Sequence, residues 1–388
     1  MIATQPTKAT LSVLLSFLLM SLTLILTTPL YGKTINIGVI GPYSGDLATY
    51  GIPVKNAVEL GVEKLNKEGG ILGKQVRLIA LDDVCEPNTA ITAANKILGE
   101  NVVAVIGHLC SGATRSVLDL YRQAKVIVIS AASTSPELTL DKKSPHFFRT
   151  IAHDAAQANL QVEFIKGQGF KKVAILHDKG TYGKGLADLV RDGLSSTPGN
   201  VEVSLYEGLD PKNVTYTTLI DKIAKNSSEA VVFGGYHPEA AKLIRSARQK
   251  KLMMPFISGD GVRNDKLIEL AGESALGYYA SAPVDTSQNS LAQAMITEYK
   301  TKYKSEPGTF SLQAYSALLV LKNAIETAKS ESYQDILKAL HSSKTSTPLG
   351  DISFDDQGDI VGSGFTMYKV EAVKEQNKTI SKFMPVSK

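Results

Sequence analysis

Val102–Gly107 (VVAVIG) runs into His108-Leu109-Cys110-Ser111-Gly112, and Val126–Ile129 (VIVI) runs into Ser130-Ala131-Ala132-Ser133-Thr134; these two stretches decide the fold. Successive residues of both runs are apolar and mostly β-branched, so neither face of the strand is suited to water. That pattern marks a parallel sheet covered by helices on both sides. The residues between the runs, Thr114–Gln123, read as the connecting helix. Each run ends in a loop with no charged side chain, yet with hydroxyls and backbone N–H groups ahead of an expected helix start. A crevice edged this way, at the carboxyl ends of parallel strands, suits the carboxylate of a small molecule. Such a crevice can hold a ligand but offers little chemistry, which indicates a binder and not an enzyme.

The alternation extends in both directions. Upstream, Thr34–Ile40 reads as a strand and Gly51–Lys67 as an amphipathic helix with Val54, Ala57, Val58, Val62 and Leu65 on one face. Gln75–Leu81 and Asn88–Leu98 follow as strand and helix. After Phe147-Phe148-Arg149 the pattern restarts, with helices Ala155–Lys166, Lys184–Leu194, Thr217–Lys225 and Glu239–Gln249. Strands Val173–His177, Val201–Tyr206, Ala230–Phe233 and Pro255–Ser258 alternate with them. From Pro283 onward, helices over 291–303, 311–328 and 333–340 and strands over 351–354 and 364–370 are too few for a third lobe, and Glu375–Lys378 reads as a polar surface turn. This last part is expected to complete both earlier lobes. The expected fold is therefore α/β, two doubly wound parallel-sheet lobes joined by a hinge with several crossovers. Residues 33–152 and 284–355 would form the N-terminal lobe, and 153–283 and 356–388 the C-terminal lobe. Several crossovers permit closing and resist sliding.

Composition bounds the function. The chain has 388 residues, beyond the size at which one core keeps growing. A net charge of +4 without a cluster of Lys, Arg and aromatics argues against a nucleic-acid surface. Lys8 is the only charge before Lys33, Leu11–Leu26 is apolar, and Pro29 and Gly32 close the stretch. Residues 1–32 read as a cleaved secretory signal, with a retained membrane anchor as the competing reading. Both cysteines, Cys85 and Cys110, follow strand-like runs in the exported part, so an oxidising compartment makes a disulfide between them the expected outcome. The sharper alternative pairs Cys110 with His108 as a nucleophile, but no orienting third group is apparent in the sequence.

A free amino acid asks for hydroxyls and N–H groups at its carboxylate, an anion at its ammonium and an apolar wall for its side chain. Ser111 and Thr134 meet the first demand. Asp260, between Gly259 and Gly261 just past a strand, meets the second. Tyr50, Tyr182 and Tyr236 lie near glycines after strands or at helix starts and can supply walls and a lid. Each of these residues is also an ordinary turn or N-cap type. Enzyme signatures such as H-E-x-x-H, G-x-S-x-G and the Walker A loop do not occur. Pro42 in the first strand-to-helix turn removes an N–H that a pyrophosphate needs. His177 and His237 have no metal-ligand spacing and read as structural, so no cofactor or metal is expected.

The segments KQVRLIALDD (74–83), IGHLCSGAT (106–114), SAASTSPELT (130–139), ILHDKGTYGKGLA (175–187), FGGYHPEAAKLIRSAR (233–248) and ISGDGV (257–262) resemble, in order, the periplasmic leucine/isoleucine/valine-binding protein family. The resemblance implies the type I periplasmic binding protein fold. It also implies a periplasmic, monomeric receptor that captures a branched-chain or other aliphatic amino acid by flytrap closure and delivers it to the membrane permease of an ABC importer. Carried over by position, the carboxylate contacts fall on Ser111 and Thr134, with the backbone of Leu109, Cys110 and Ala132 beside them. The aromatic contacts fall on Tyr50, Tyr182 and Tyr236, and the half-cystines on Cys85 and Cys110. The ammonium acceptor falls on Asp260, where the family carries Glu; one methylene less withdraws the carboxylate by roughly 1.5 Å. A sensory module of the same fold, reporting an amino acid or amide to a signalling partner, is the alternative. A secreted Cys/His hydrolase, which requires a reactive thiol, is a third reading.

Overall fold

The computed structural model describes residues 34–140, 144–196, 201–375 and 378–386. The signal segment assigned to 1–32 lies outside the described residues. Among those described, no helix is long and apolar enough to cross a membrane.

Five parallel strands form the first sheet: β1 (Ile35–Gly41), β2 (Val76–Asp82), β3 (Ala104–Ile106), β4 (Ile127–Ser130) and β5 (Phe147–Arg149), in the order β2-β1-β3-β4-β5. Helices α1 (Ala48–Lys67), α2 (Pro87–Leu98) and α3 (Ser111–Ala124) connect the first four. In the second sheet, β6 (Lys172–His177), β7 (Glu202–Gly208), β8 (Ala230–Gly234), β9 (Phe256–Ser258) and β10 (Tyr279–Pro283) run parallel as β7-β6-β8-β9-β10. This is the same 2-1-3-4-5 order as in the first sheet. Helices α4 (Asp154–Gly167), α5 (Thr181–Ser196), α6 (Thr217–Lys225), α7 (His237–Gln249) and α8 (Asp265–Ala271) accompany it.

Both sheets are buried on both faces, and the residue pairs show why the strand runs are apolar throughout. Ile37, Val39, Ala104, Ile106, Ile127 and Ile129 enter one core, while Ile40, Val105 and Val128 enter the core on the opposite face. In the second sheet, Ala174, Leu176, Val231 and Phe233 face one way and Val173, Ile175, Ala230 and Val232 the other. Alternate side chains of a strand point to opposite faces, so two apolar cores require an unbroken apolar run.

The last third of the chain serves both sheets. Helices α9 (Ser290–Tyr303), α10 (Ser311–Ala328) and α11 (Tyr333–Ser342) join the core of the first sheet through Met295, Ala314, Leu318, Leu321 and Ile336, followed by the small hairpin β11 (Thr345–Thr347) and β12 (Gly350–Ile352). α10 packs so close to α1 that a Cβ on Gly61 would lie 2.6 Å from Leu318 Cδ2. β13 (Phe365–Glu375) then pairs antiparallel with β10, and β14 (Lys378–Pro385) pairs antiparallel with β13. The chain thus passes between the sheets three times, after Arg149, after Pro283 and after Ile352.

Three expectations are corrected. The loop after β4 does not lead into an α-helix: Pro136–Leu138 makes one 3₁₀ turn and the chain proceeds to β5. The helix after β3 starts at Ser111 and not at Thr114, so Ser111 is its first residue, capped by Cys110. The late strand continues past Val370 to Glu375, where it pairs with Lys378 in a hairpin whose second strand, β14, was not anticipated. β14 (KTISKFMP) lies at the sheet edge, half of its side chains are polar and only Phe383 is buried, so it carries no core-facing run to reveal it.

Candidate functional site

In a 2-1-3-4-5 sheet the topology reverses between the strands numbered 1 and 3, and the loops diverging there leave a crevice. In the first sheet that point lies between β1 and β3, and in the second between β6 and β8. The loops leaving all four strands meet in one cavity, with about 350 Å³ of empty space when the solvent at its opening is included. Pro42, Tyr50, Cys85, Leu109, Cys110, Ser111 and Ala132 come from the first sheet's side, and Tyr182, Tyr236, Asp260 and Gly261 from the second. Phe310, just before α10, completes the wall.

The first side is a neutral surface braced from behind. Cys85 and Cys110 form a disulfide with Cα atoms 5.5 Å apart. His108 is fully buried, its Nδ1 2.6 Å from Asp83 Oδ2 and its Nε2 3.0 Å from the Tyr121 hydroxyl. Asp83 also accepts the Cys85 N–H at 2.9 Å. An orienting acid for His108 therefore exists, contrary to the sequence reading, but the sulfur beside it is bridged and the hydrolase alternative has no nucleophile. The loops after β3 and β4 are tied together by hydroxyls: Ser130 and Ser133 donate to the His108 carbonyl at 2.6 and 3.0 Å, and Ser111 Oγ accepts the Ser135 N–H at 3.2 Å. α3 starts at the cavity wall, where its leading N–H groups have no acceptors within the helix.

The second side carries the charge. Asp260 is 2% exposed. Its Oδ1 accepts from the Tyr182 hydroxyl at 2.6 Å, the Gly261 N–H at 3.0 Å and Gln157 Nε2 at 3.1 Å, while Oδ2 has no partner. Burial pushes this carboxyl up to about 6, and the three donors hold it from rising further. Gly261 must be glycine: a Cβ there would lie 2.7 Å from Tyr182 Cε1 and 2.8 Å from the Gly235 oxygen. The rings of Tyr182 and Tyr236 stand 5.3 Å apart, and that of Tyr50 lies 5.6 Å from Phe310.

The two sides touch. The Tyr50 hydroxyl donates to the Gly261 carbonyl at 2.9 Å, Thr49 to Asn264 Oδ1 at 3.1 Å and Thr309 to the Arg263 carbonyl at 2.9 Å. The cleft is closed.

Of the residues singled out in the sequence, Tyr50, Leu109, Cys110, Ser111, Ala132, Tyr182, Tyr236 and Asp260 converge on this cavity. Thr134 does not line it. It is buried one layer behind, where its hydroxyl makes no well-formed hydrogen bond but favours the charged form of the adjacent Asp154 carboxyl. Pro42, Gly261, Phe310, Asp154 and Gln157 went unread. His177 accepts the Lys179 N–H, and His237 packs 5.4 Å from Tyr50 with burial pushing its imidazole down to about 4. Among the described residues no group of three or more His, Cys, Asp or Glu could hold a metal.

Twin doubly wound sheets, three crossings between them and one closed cavity at both topological switch points define a two-lobed solute-binding protein. Residues 34–377 match the family described as periplasmic binding protein, and the chain belongs to it. It is 34% identical, over 87% of its length and 90% of the relative's, to the leucine-, isoleucine-, valine-, threonine- and alanine-binding protein of Pseudomonas aeruginosa. It is similar in structure to a leucine-binding protein from Thermotoga maritima (TM-score 0.81, 25% identity, 90% of this chain and 98% of that one). A branched-chain amino acid transporter substrate-binding protein from Streptococcus pneumoniae, in complex with isoleucine, gives a TM-score of 0.78 at 26% identity, covering 91% of this chain and all of the other.

Proposed function

We propose that this protein captures a small aliphatic L-amino acid between its two sheets and delivers it to the permease of an ABC importer. The observation that carries the reading is the unpartnered Oδ2 of Asp260, a buried carboxylate oxygen in a closed cavity whose opposite wall has no charged side chain. An α-ammonium at Oδ2 would supply the missing partner. The carboxylate would lie against Ser111, the first N–H groups of α3 and the backbone of Leu109, Cys110 and Ala132. Tyr50, Tyr182, Tyr236 and Phe310 would enclose the side chain and reject polar ones, whose buried groups would find no partners. The amino acids named for the relatives agree with this chemistry. In the same reading, 1–32 is a cleaved export signal, the mature protein is a periplasmic monomer, and the lobes comprise 33–152 with 284–355 and 153–283 with 356–388.

Titration calorimetry with a panel of amino acids tests this. Heat is expected from leucine, isoleucine, valine or alanine, and none from arginine or glutamate. Silence toward every α-amino acid would sink the proposal.

A further inference from the structure

Three buried polar oxygens around the cavity have no well-formed hydrogen bond: Asp260 Oδ2, Asp154 Oδ2 and Thr134 Oγ1. Gln157 wires the two acids together. Its Oε1 accepts the backbone N–H of Asp260 at 3.0 Å and the Ser281 hydroxyl at 2.7 Å. A backbone N–H can only donate, so the amide cannot be turned round, and Nε2 must face the acids. It donates to Asp154 Oδ1 at 2.8 Å and to Asp260 Oδ1 at 3.1 Å. The two Oδ1 atoms are therefore no further apart than these two bonds laid end to end.

Two carboxylates this close and this deeply buried cannot both be ionised without a cation between them. Tyr50, Tyr182 and Tyr236 are the buried titratable groups that face one or both acids. Arg149, from β5, is the cation facing Asp154, but its guanidinium is spent on Asp359, the Ser133 and Ser135 carbonyls and Thr139 Oγ1. Tyr182, from α5, donates to Asp260. Of the two acids, Asp260 has three donors on its Oδ1 and Asp154 only one. Asp260 is thus the better-solvated anion. Burial, followed by the charge of Asp260, pushes the Asp154 carboxyl well above the usual range.

We propose that Asp154 is a positioning residue that stays a neutral carboxylic acid and so leaves Asp260 as the one charge of the site, setting its specificity for a ligand with a single ammonium group. Of the three orphan oxygens, Asp260 Oδ2 alone belongs to a residue that lines the cavity, and it is the one left for a ligand. A site of charge −1 is neutralised by one ammonium and would be overfilled by a dication. Asp154 is also the first residue of α4, directly after the first crossing between the sheets, so the proton sits where the two sides join. The ligand part of this inference rests on the amino-acid reading above; the protonation does not.

Carbon-13 spectroscopy of the aspartate carboxyls in the full ligand-free chain tests the protonation directly. At about pH 7 wild type should show one protonated buried aspartate, and Asp154→Asn should lack it. L-Valine titrations supply the second arm. Asn is uncharged, has nearly the same shape and keeps an acceptor for Gln157, so D154N should bind L-valine within about threefold of wild type. D154A removes the bond to Gln157 and should bind about tenfold or more weakly. D154N should also remain unresponsive to lysine. The proposal is overturned if the protonated signal persists in D154N, or if D154N is weakened as much as D154A. Should D154A fail to fold, the spectrum and D154N decide. If wild type binds no α-amino acid, the functional reading fails, and the spectrum still decides the state of Asp154.

Discussion

The two walls of the cavity are built from the same topology and do opposite electrostatic work. On the first sheet's side the loops after β1 and β3 present Pro42, Leu109, Cys110 and Ser111, a neutral surface held by a disulfide and a net of serine hydroxyls. On the second side the equivalent connections, after β6 and β8, present tyrosines, and the loop after β9 adds the carboxylate of Asp260. The difference teaches that neither half is a complete site. A zwitterion placed in the cavity would have each polar end matched by a different sheet, so its full set of contacts would exist only in the closed form.

This contrast can be broken or sharpened experimentally. The largest effect is expected for Asp260→Ala: an ammonium left buried without its anion should cost about 3–5 kcal/mol of affinity by calorimetry, and unchanged affinity would abolish the assigned polarity. Replacing both cysteines by Ser should cost about 3–4 kcal/mol of stability from the 25-residue separation. Hydrogen exchange should place that loss in β1–β4 and spare β6–β9; a loss shared equally would mean that the two sides are not separately braced. Tyr182→Phe removes the 2.6 Å donor to Asp260 and the acceptor of the Gly261 N–H, and should weaken binding by about 1.5–3 kcal/mol. On the neutral wall, Ser111→Ala should cost only about 0.5–1.5 kcal/mol; a larger loss than for Tyr182→Phe would invert the comparison.

Acid should separate stability from binding. The folded Asp260 carboxyl lies at about 6, above its ordinary 3.8, so the folded state takes up a proton more readily than the unfolded chain. As pH falls from about 6 toward 4, this group therefore adds stability to the empty protein. Binding needs the ionised form, so each pH unit below about 6 should weaken an ammonium ligand by up to about tenfold. Thermal melts with and without L-valine across this window check both signs. A ligand-induced rise in Tm that does not shrink with acid would exclude Asp260 as the partner of the ammonium.

What could be read beforehand followed burial. β1, β3, β4, β6 and β8 were legible because each feeds two cores and is apolar along most of its length. The edge strand β14 and the short α8 were not, since neither carries an uninterrupted apolar signal. Tyr50, Ser111, Tyr182 and Asp260 were legible as polar or aromatic residues placed just past such strands. Phe310 had no local signal, because its relation to Tyr50 is made by α10 returning to α1 after some 260 residues. Asp154 and Gln157 sit on an ordinary helix start, and the acid they face lies 103 residues from Gln157.

Strand periodicity, glycine placement and an uncharged pair of loops were enough to indicate the twin α/β architecture and to single out the crevice at the carboxyl ends of the strands. Those properties are local, written in which residues can face an apolar core. Packing alone decided that Thr134 stands behind the wall and not in it, that an acid orients His108, and that two distant aspartates share one amide. Charge in a protein interior is settled by the neighbours that long-range folding supplies, and no stretch of the chain contains both members of that pair.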